Sequence, residues 1–269
     1  PGVAKTLCDP GREQLGDRVR WRAVLVIALL CQLAPSPLPA QLPPDADWRT
    51  LRTEHFYLHF TPELEAVARR MATHAETAYV RLSEHLRPPR GPIDVVLSDN
   101  YDVSNGYATP FPTNRIVVYA NPTITESSLR FVDDPIQLVL THELVHVFHL
   151  DRSGGIWKVL QKIFGRAPYY FPIGYQPSWI KEGLAVYYES LLTGAGRIVG
   201  SEHRMLARTA ALSHRFPRLD QLSIANPTFP FGHYAYAYGG LFMDYLARAH
   251  GDSSMSTFVE SFAPPLIPS

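Results

Sequence analysis

The chain has 269 residues, a formal net charge of zero and 46% hydrophobic residues, an ordinary globular make-up with room for one large or two small domains. Beyond the short cluster Arg18 to Arg22 there is no basic run, which excludes nucleic acid as a partner on charge grounds. The only cysteines, Cys8 and Cys31, lie in the first 40 residues.

Arg18, Arg20 and Arg22 precede an apolar run from Ala23 to Ala34, and Pro35 to Ala40 supplies helix breakers and small residues. These are the three regions of a secretory signal peptide. The run is shorter than the roughly 20 residues a membrane span needs. Residues 1–40 are therefore expected to be a signal peptide cut after Ala40, with residues 1–18 lying upstream of an alternative start at Val19. The protein is then exported, periplasmic or secreted, with no stable membrane insertion; an uncleaved N-terminal anchor is the alternative. The mature chain has no cysteine, so neither disulfides nor a thiolate metal site is available to it.

Residues 41–52 read as a Pro-rich linker. Glu54 to Phe60 alternates like a strand, and Thr61-Pro62-Glu63 opens a helix reaching about Leu86. Pro92 to Leu97 and Arg115 to Ala120 are further strands, separated by a polar loop, Tyr101 to Asn114, in which Asn105-Gly106 suits a tight turn. From Pro135 onward the pattern is helical. Strands first and helices afterwards predict an α+β fold: a small mixed or mainly antiparallel sheet with helices (53–132), then a helical part (133–262), in one domain followed by a tail (263–269).

His142-Glu143-Leu144-Val145-His146 carries the chemistry. Asp133-Asp134-Pro135 is a helix start, with an acidic cap and proline at the first position. Ile136, Leu140, Leu144, Val147 and Phe148 form an apolar stripe, so the motif lies in the second half of that helix. Histidines four apart share a helical face and can hold one Zn²⁺. Glu143 between them can take a proton from a zinc-bound water. His149 lies seven residues after His142, about 10.5 Å along a helix, too far to share the ion, and is expected behind the site or on the surface.

A catalytic zinc usually takes three protein ligands and leaves a fourth position open, and without cysteine the third must be histidine or a carboxylate. Glu182 is the strongest candidate, in Trp179-Ile180-Lys181-Glu182-Gly183-Leu184-Ala185. It lies on a helix opened by Pro177-Ser178, with Ile180, Leu184, Tyr187 and Leu191 on one face. Gly183 within that helix implies close approach of another helix or of the metal site. Glu189, seven residues on, suits either a solvated face or a role in orienting a ligand.

HELVH followed by W-x-x-E-G-x-A resembles the gluzincin metallopeptidases, in particular the peptidase MA-like domains of exported bacterial proteins. The resemblance spans roughly Thr53 to Gly251 and implies a zincin-like fold with one zinc on His142, His146 and Glu182. Glu182 follows His146 by 36 residues, farther than in aminopeptidase-N-type members. The intervening Gly155 to Gln176 is an apolar, aromatic insertion, read as a cleft wall or lid or as ordinary helix-hairpin packing. Tyr236-Ala237-Tyr238-Gly239 is similar to the helix that carries an oxyanion-stabilising tyrosine in those enzymes. Tyr236 matches that residue, with Tyr234 and Tyr238 competing for the role. Ile116 to Ala120 resembles the edge strand that pairs with extended peptide there, making Val118, Tyr119 and Ala120 candidate substrate contacts; an interior structural strand, which its apolar content suits, is the alternative.

The expected function is an exported zinc peptidase acting on a peptide or protein through a Glu143-activated water. The alternative is a catalytically weak or inactive zinc-binding scaffold module. Domains of this kind are often followed by a β-propeller, which makes a propeller missing from this chain an expected partner domain.

Overall fold

A computed structural model describes residues 42–102, 104–121, 132–223, 229 and 232–263. The signal segment, both cysteines and residues 264–269 lie outside them. One mixed sheet contains β1 (Arg49–Arg52), β2 (Phe56–Phe60), β3 (Ile93–Ser98), β4 (Ser104–Thr109) and β5 (Arg115–Ala120), in the order β1-β2-β3-β5-β4. The three central strands run parallel and the two outer ones antiparallel to their neighbours. On β2, Phe56, Leu58 and Phe60 point into the core while Tyr57 and His59 stay half-exposed, the period-2 alternation that marks a strand covered on one face. Helix α1 (Glu65–Ser83) links β2 to β3 and buries Ala68, Met71, Ala75 and Leu82 against the sheet.

Two expectations change. The sheet begins inside the expected linker, because Arg49 to Arg52 pair with Tyr57 to Phe60. The expected loop also contains β4, so Asn105-Gly106 sit in a ladder opposite Tyr119 and Val118 rather than in a turn. Tertiary pairing has overridden a sequence with poor strand propensity. As a result β5 is interior, with Val118 and Tyr119 paired to both β3 and β4 and Ala120 paired to β4. Among the described residues the outermost strand on that side is β4.

Helix α2 (Pro135–Leu150) carries HELVH and is the centre of the molecule. The Asp134 carboxylate accepts the Gln137 amide at 3.1 Å, and Pro135 occupies the first turn. Every residue from Leu138 to His149 is buried, so this helix is covered around its circumference rather than amphipathic, apart from the face of the motif, which lines a cleft. Strands β4 and β5, α1 and α4 (Ser178–Thr193) surround it. Its C-terminal end is pinned by Asp151, whose side chain is 1% exposed and pairs with Arg90 at 2.7 Å and Arg166 at 2.9 Å. Burial opposes that charge, but the Arg90 hydrogen bonds win and hold the carboxyl below its usual range.

After α2 come α3 (Gly155–Phe164), α4, α5 (Ser201–Leu212), α6 (Tyr234–His250) and α7 (Ser253–Ser261). The strand-then-helix order gives the α+β architecture expected. Helices α4 and α6 pack backbone to backbone. A Cβ on Gly183 would lie 2.5 Å from the Gly239 carbonyl carbon, and one on Gly239 would lie 2.3 Å from the Trp179 carbonyl oxygen. Gly183 thus admits another helix. On α4, Ile180, Leu184 and Tyr187 are buried as expected, whereas Leu191 is 42% exposed and Leu192 takes the inward position. Among the described residues no helix is long and apolar enough to cross a membrane.

Candidate metal centre and active-site cleft

Helix α2 presents His142 and His146 one turn apart, and α4 brings Glu182 against them. The three facing atoms form a nearly equilateral triangle. His142 Nε2 and His146 Nε2 are 3.2 Å apart, and Glu182 Oε2 lies 3.2 Å from the first and 3.3 Å from the second. A tetrahedral zinc with bonds of about 2.0–2.1 Å needs ligand atoms about 3.3–3.4 Å apart, so the triangle has the size of one tetrahedral face. Both histidines are buried and Glu182 is partly buried. No other such grouping of ligand side chains occurs among the described residues.

Protonation supports the same reading. Burial opposes a charge on His142, but the carboxylates of Glu182 and Glu189 lift its pKa to about 9. Burial also opposes ionisation of Glu182, and hydrogen bonds to His142 and His146 overcome it, leaving the carboxyl well below its usual range. A carboxylate and two imidazole nitrogens converging this closely could share one cation. A divalent ion binding there would release the protons that bridge them.

Glu189 decides the orientation of His142. It is fully buried, not solvated, and its Oε2 lies 2.7 Å from His142 Nδ1. An ionised carboxylate only accepts, so Nδ1 carries the hydrogen and Nε2 keeps its lone pair for a metal. Burial works against the Glu189 charge, and Arg197 and His142 offset it. Replacing Glu189 with Gln, which keeps the shape but not the charge, should weaken zinc affinity about tenfold, measured by competition with a chromophoric chelator. Unchanged affinity would leave Glu189 without an orienting role.

Glu143 is 6% exposed, and burial raises its pKa. It lines a cleft of about 430 Å³ together with the three ligand residues, Tyr236, Arg197 and the β4 segment Asn105 to Ala108. Gly106 explains how an edge strand comes so close: a Cβ there would lie 2.9 Å from Val139 Cγ1 and 3.0 Å from Glu143 Cγ. His149 does not join the His142, His146 and Glu182 cluster. It is completely buried, and desolvation and nearby His146 depress its pKa to about 3, keeping it neutral.

Of the three tyrosines, Tyr236 faces the cleft. Its ring stacks on His142 at 6.1 Å, and burial followed by the Glu182 charge raises its pKa to about 12, so the phenol keeps its proton. The Tyr234 hydroxyl donates to the Phe229 carbonyl, and Tyr238 packs on Phe216 and Tyr234. Arg197 was not anticipated. Its guanidinium lies 5.0 Å from the centre of the Tyr236 ring and 3.5 Å from Glu189, and its backbone N–H donates to Glu189 Oε1. The loop that places it, Gly194 to Gly200, carries positive φ at Gly194 and Gly196, the only sequence signal available.

No family model and no curated protein matches this chain. Among solved structures it is similar to native leukotriene A4 hydrolase from Saccharomyces cerevisiae, at 17% identity over 81% of this chain and 33% of that one, with a TM-score of 0.48. The complex of yeast LTA4 hydrolase with bestatin gives 16% identity, the same coverage and a TM-score of 0.49. An aminopeptidase N family protein from Idiomarina loihiensis gives 15% identity over 84% of this chain and 42% of that one, with a TM-score of 0.43. The chain thus spans between a third and two fifths of the length of these proteins.

Proposed function

We propose that this protein is a zinc-dependent peptidase of gluzincin type, with the metal held by His142, His146 and Glu182. The observation that carries the reading is the 3.2–3.3 Å triangle of ligand atoms with Glu143 beside it in an open cleft. A purely structural zinc is normally closed by four protein ligands. Here three converge, and the fourth direction opens on the cleft, which favours catalysis over a scaffold role.

When bound, zinc supplies Lewis-acid polarisation and lowers the pKa of a water in its open position. Glu143 takes a proton from the attacking water and delivers it to the leaving amine. Burial raises its pKa towards the working range of a base that must also act as an acid. Tyr236 keeps its phenolic proton and donates it as a hydrogen bond to the developing oxyanion. The outer edge of β4 borders the same cleft and offers backbone groups to an extended peptide. Export, where it occurs, would place this activity in the periplasm or outside the cell.

Metal analysis tests the ligand set. The purified chain should hold one zinc, and His142→Ala and Glu182→Ala should each lose it. A full zinc complement in Glu182→Ala refutes the site. Tyr236→Phe should keep the metal and KM while kcat falls roughly 100-fold; an unchanged kcat removes Tyr236 from the mechanism.

A further inference from the structure

Helix α3 is built inside out. Its one fully buried side chain is polar: Gln161 accepts from Arg90 at 2.9 Å and from the Ser153 hydroxyl at 3.2 Å, and donates to the Tyr170 carbonyl at 2.6 Å. Four of its six apolar residues face outward, with Ile156 46%, Val159 54%, Ile163 65% and Phe164 62% exposed, while Trp157 and Leu160 are half-buried. At 3.6 residues per turn Ile156, Val159 and Ile163 share one stripe. The following segment extends it with aromatic rings. Tyr169 and Tyr175 are 72% and 56% exposed, Tyr175 packs against Trp157, and Phe164 stacks on Tyr170. None of residues 155–176 is among those lining the cleft, and although Phe171 and Ile173 pack into the core, the outer face of α3 stays uncovered among the described residues.

The charge of this segment is one-sided. Between Asp151 and Glu182 the sequence has Arg152, Lys158, Lys162, Arg166 and Lys181 but no aspartate or glutamate, although the whole chain is neutral. Arg152 and Arg166 are engaged with Glu260 and Asp151, whereas Lys158 and Lys162 are exposed beside the apolar stripe. A short helix with a strong apolar face, flanking lysines and neighbouring tyrosines is suited to the boundary between lipid headgroups and acyl chains. A second copy of the chain would set these lysines against each other, whereas an anionic bilayer attracts them.

We propose that the α3 face is a peripheral docking site for an anionic phospholipid surface. The stripe would lie in the plane of the interface with Lys158 and Lys162 at headgroup level and without spanning the bilayer. This is independent of the metal site.

The test is co-sedimentation of the full chain with phosphatidylcholine vesicles, alone or with about 30% phosphatidylglycerol. The protein should pellet with the anionic vesicles and stay in solution with the neutral ones, and salt should release it. Ile163→Ser/Phe164→Ser should weaken partitioning at least about tenfold, and Lys158→Glu/Lys162→Glu at least about 25-fold, as each lysine contributes about fivefold. These exposed changes should leave the thermal midpoint and zinc content unchanged. Absence of binding, equal binding by wild type and Ile163→Ser/Phe164→Ser, or lipid-free dimerisation abolished by that double change, overturns the proposal.

Discussion

Glu143→Gln should retain one zinc per chain and lose peptide hydrolysis by a factor of about 10²–10⁴ in kcat. Gln has the size of Glu and keeps the packing against Gly106, where the clearance for even a Cβ is only 3.0 Å. It cannot take up a proton, so water stays undeprotonated and the leaving amine leaves without help. Because the substitution acts on a transition-state step, kcat and kcat/KM should fall together with KM little changed. Steady-state assays on an internally quenched peptide pool, run beside zinc analysis, decide it. Full activity in the zinc-loaded variant would mean that another group is the base.

Gly239→Ala should lower stability by about 3 kcal/mol, at the upper end of the usual cost of overpacking. The new Cβ would stand 2.3 Å from the Trp179 carbonyl oxygen and 3.0 Å from the Gly183 Cα. Those are backbone atoms of α4, so no rotamer change can clear them and the helices must part. At the usual 2–4 °C per kcal/mol for a domain of this size, the thermal midpoint should drop by about 6–12 °C. Separation of α4 from α6 also disturbs Glu182 against Tyr236, so zinc affinity should weaken. Gly174→Ala is the control: nothing lies within 4 Å of its added Cβ, and the change should stay within about 0.5 kcal/mol. Equal midpoints for the two variants would show that the α4–α6 contact is looser than the structure has it.

The helices and the ligand-bearing turn were legible in the sequence because their signals are local. Asp134-Pro135 names a helix start, the His142/His146 interval names a face, and Gly183 announces a close crossing. What failed depends on neighbours distant in sequence. Ser104 to Thr109 has the composition of a loop and became a strand only because β5 pairs with it, which moved the outer edge away from Val118 to Ala120. Glu189 and Arg197 gain meaning only through His142 and Tyr236, 47 and 39 positions away. Nor does an apolar stripe say which way it faces. Ile156, Val159 and Ile163 have the periodicity of a core helix, yet the inward position belongs to Gln161, which accepts from the Arg90 guanidinium that pairs with buried Asp151.

One helix grips His142 at both ring nitrogens, Glu182 from one side and Glu189 from the other. The two carboxylates sit two turns apart on α4, so their separation is a property of the backbone. With a metal bound as proposed, the gap between α2 and α4 would act as a gauge of ionic radius. An ion with bonds of about 2.0–2.1 Å, like zinc, enters without moving either helix, whereas calcium, at about 2.3–2.6 Å with six or more oxygens, would have to spread them. With two imidazole donors already disfavouring an ion that takes oxygen ligands, the spacing of α2 and α4 would add a second bar against calcium.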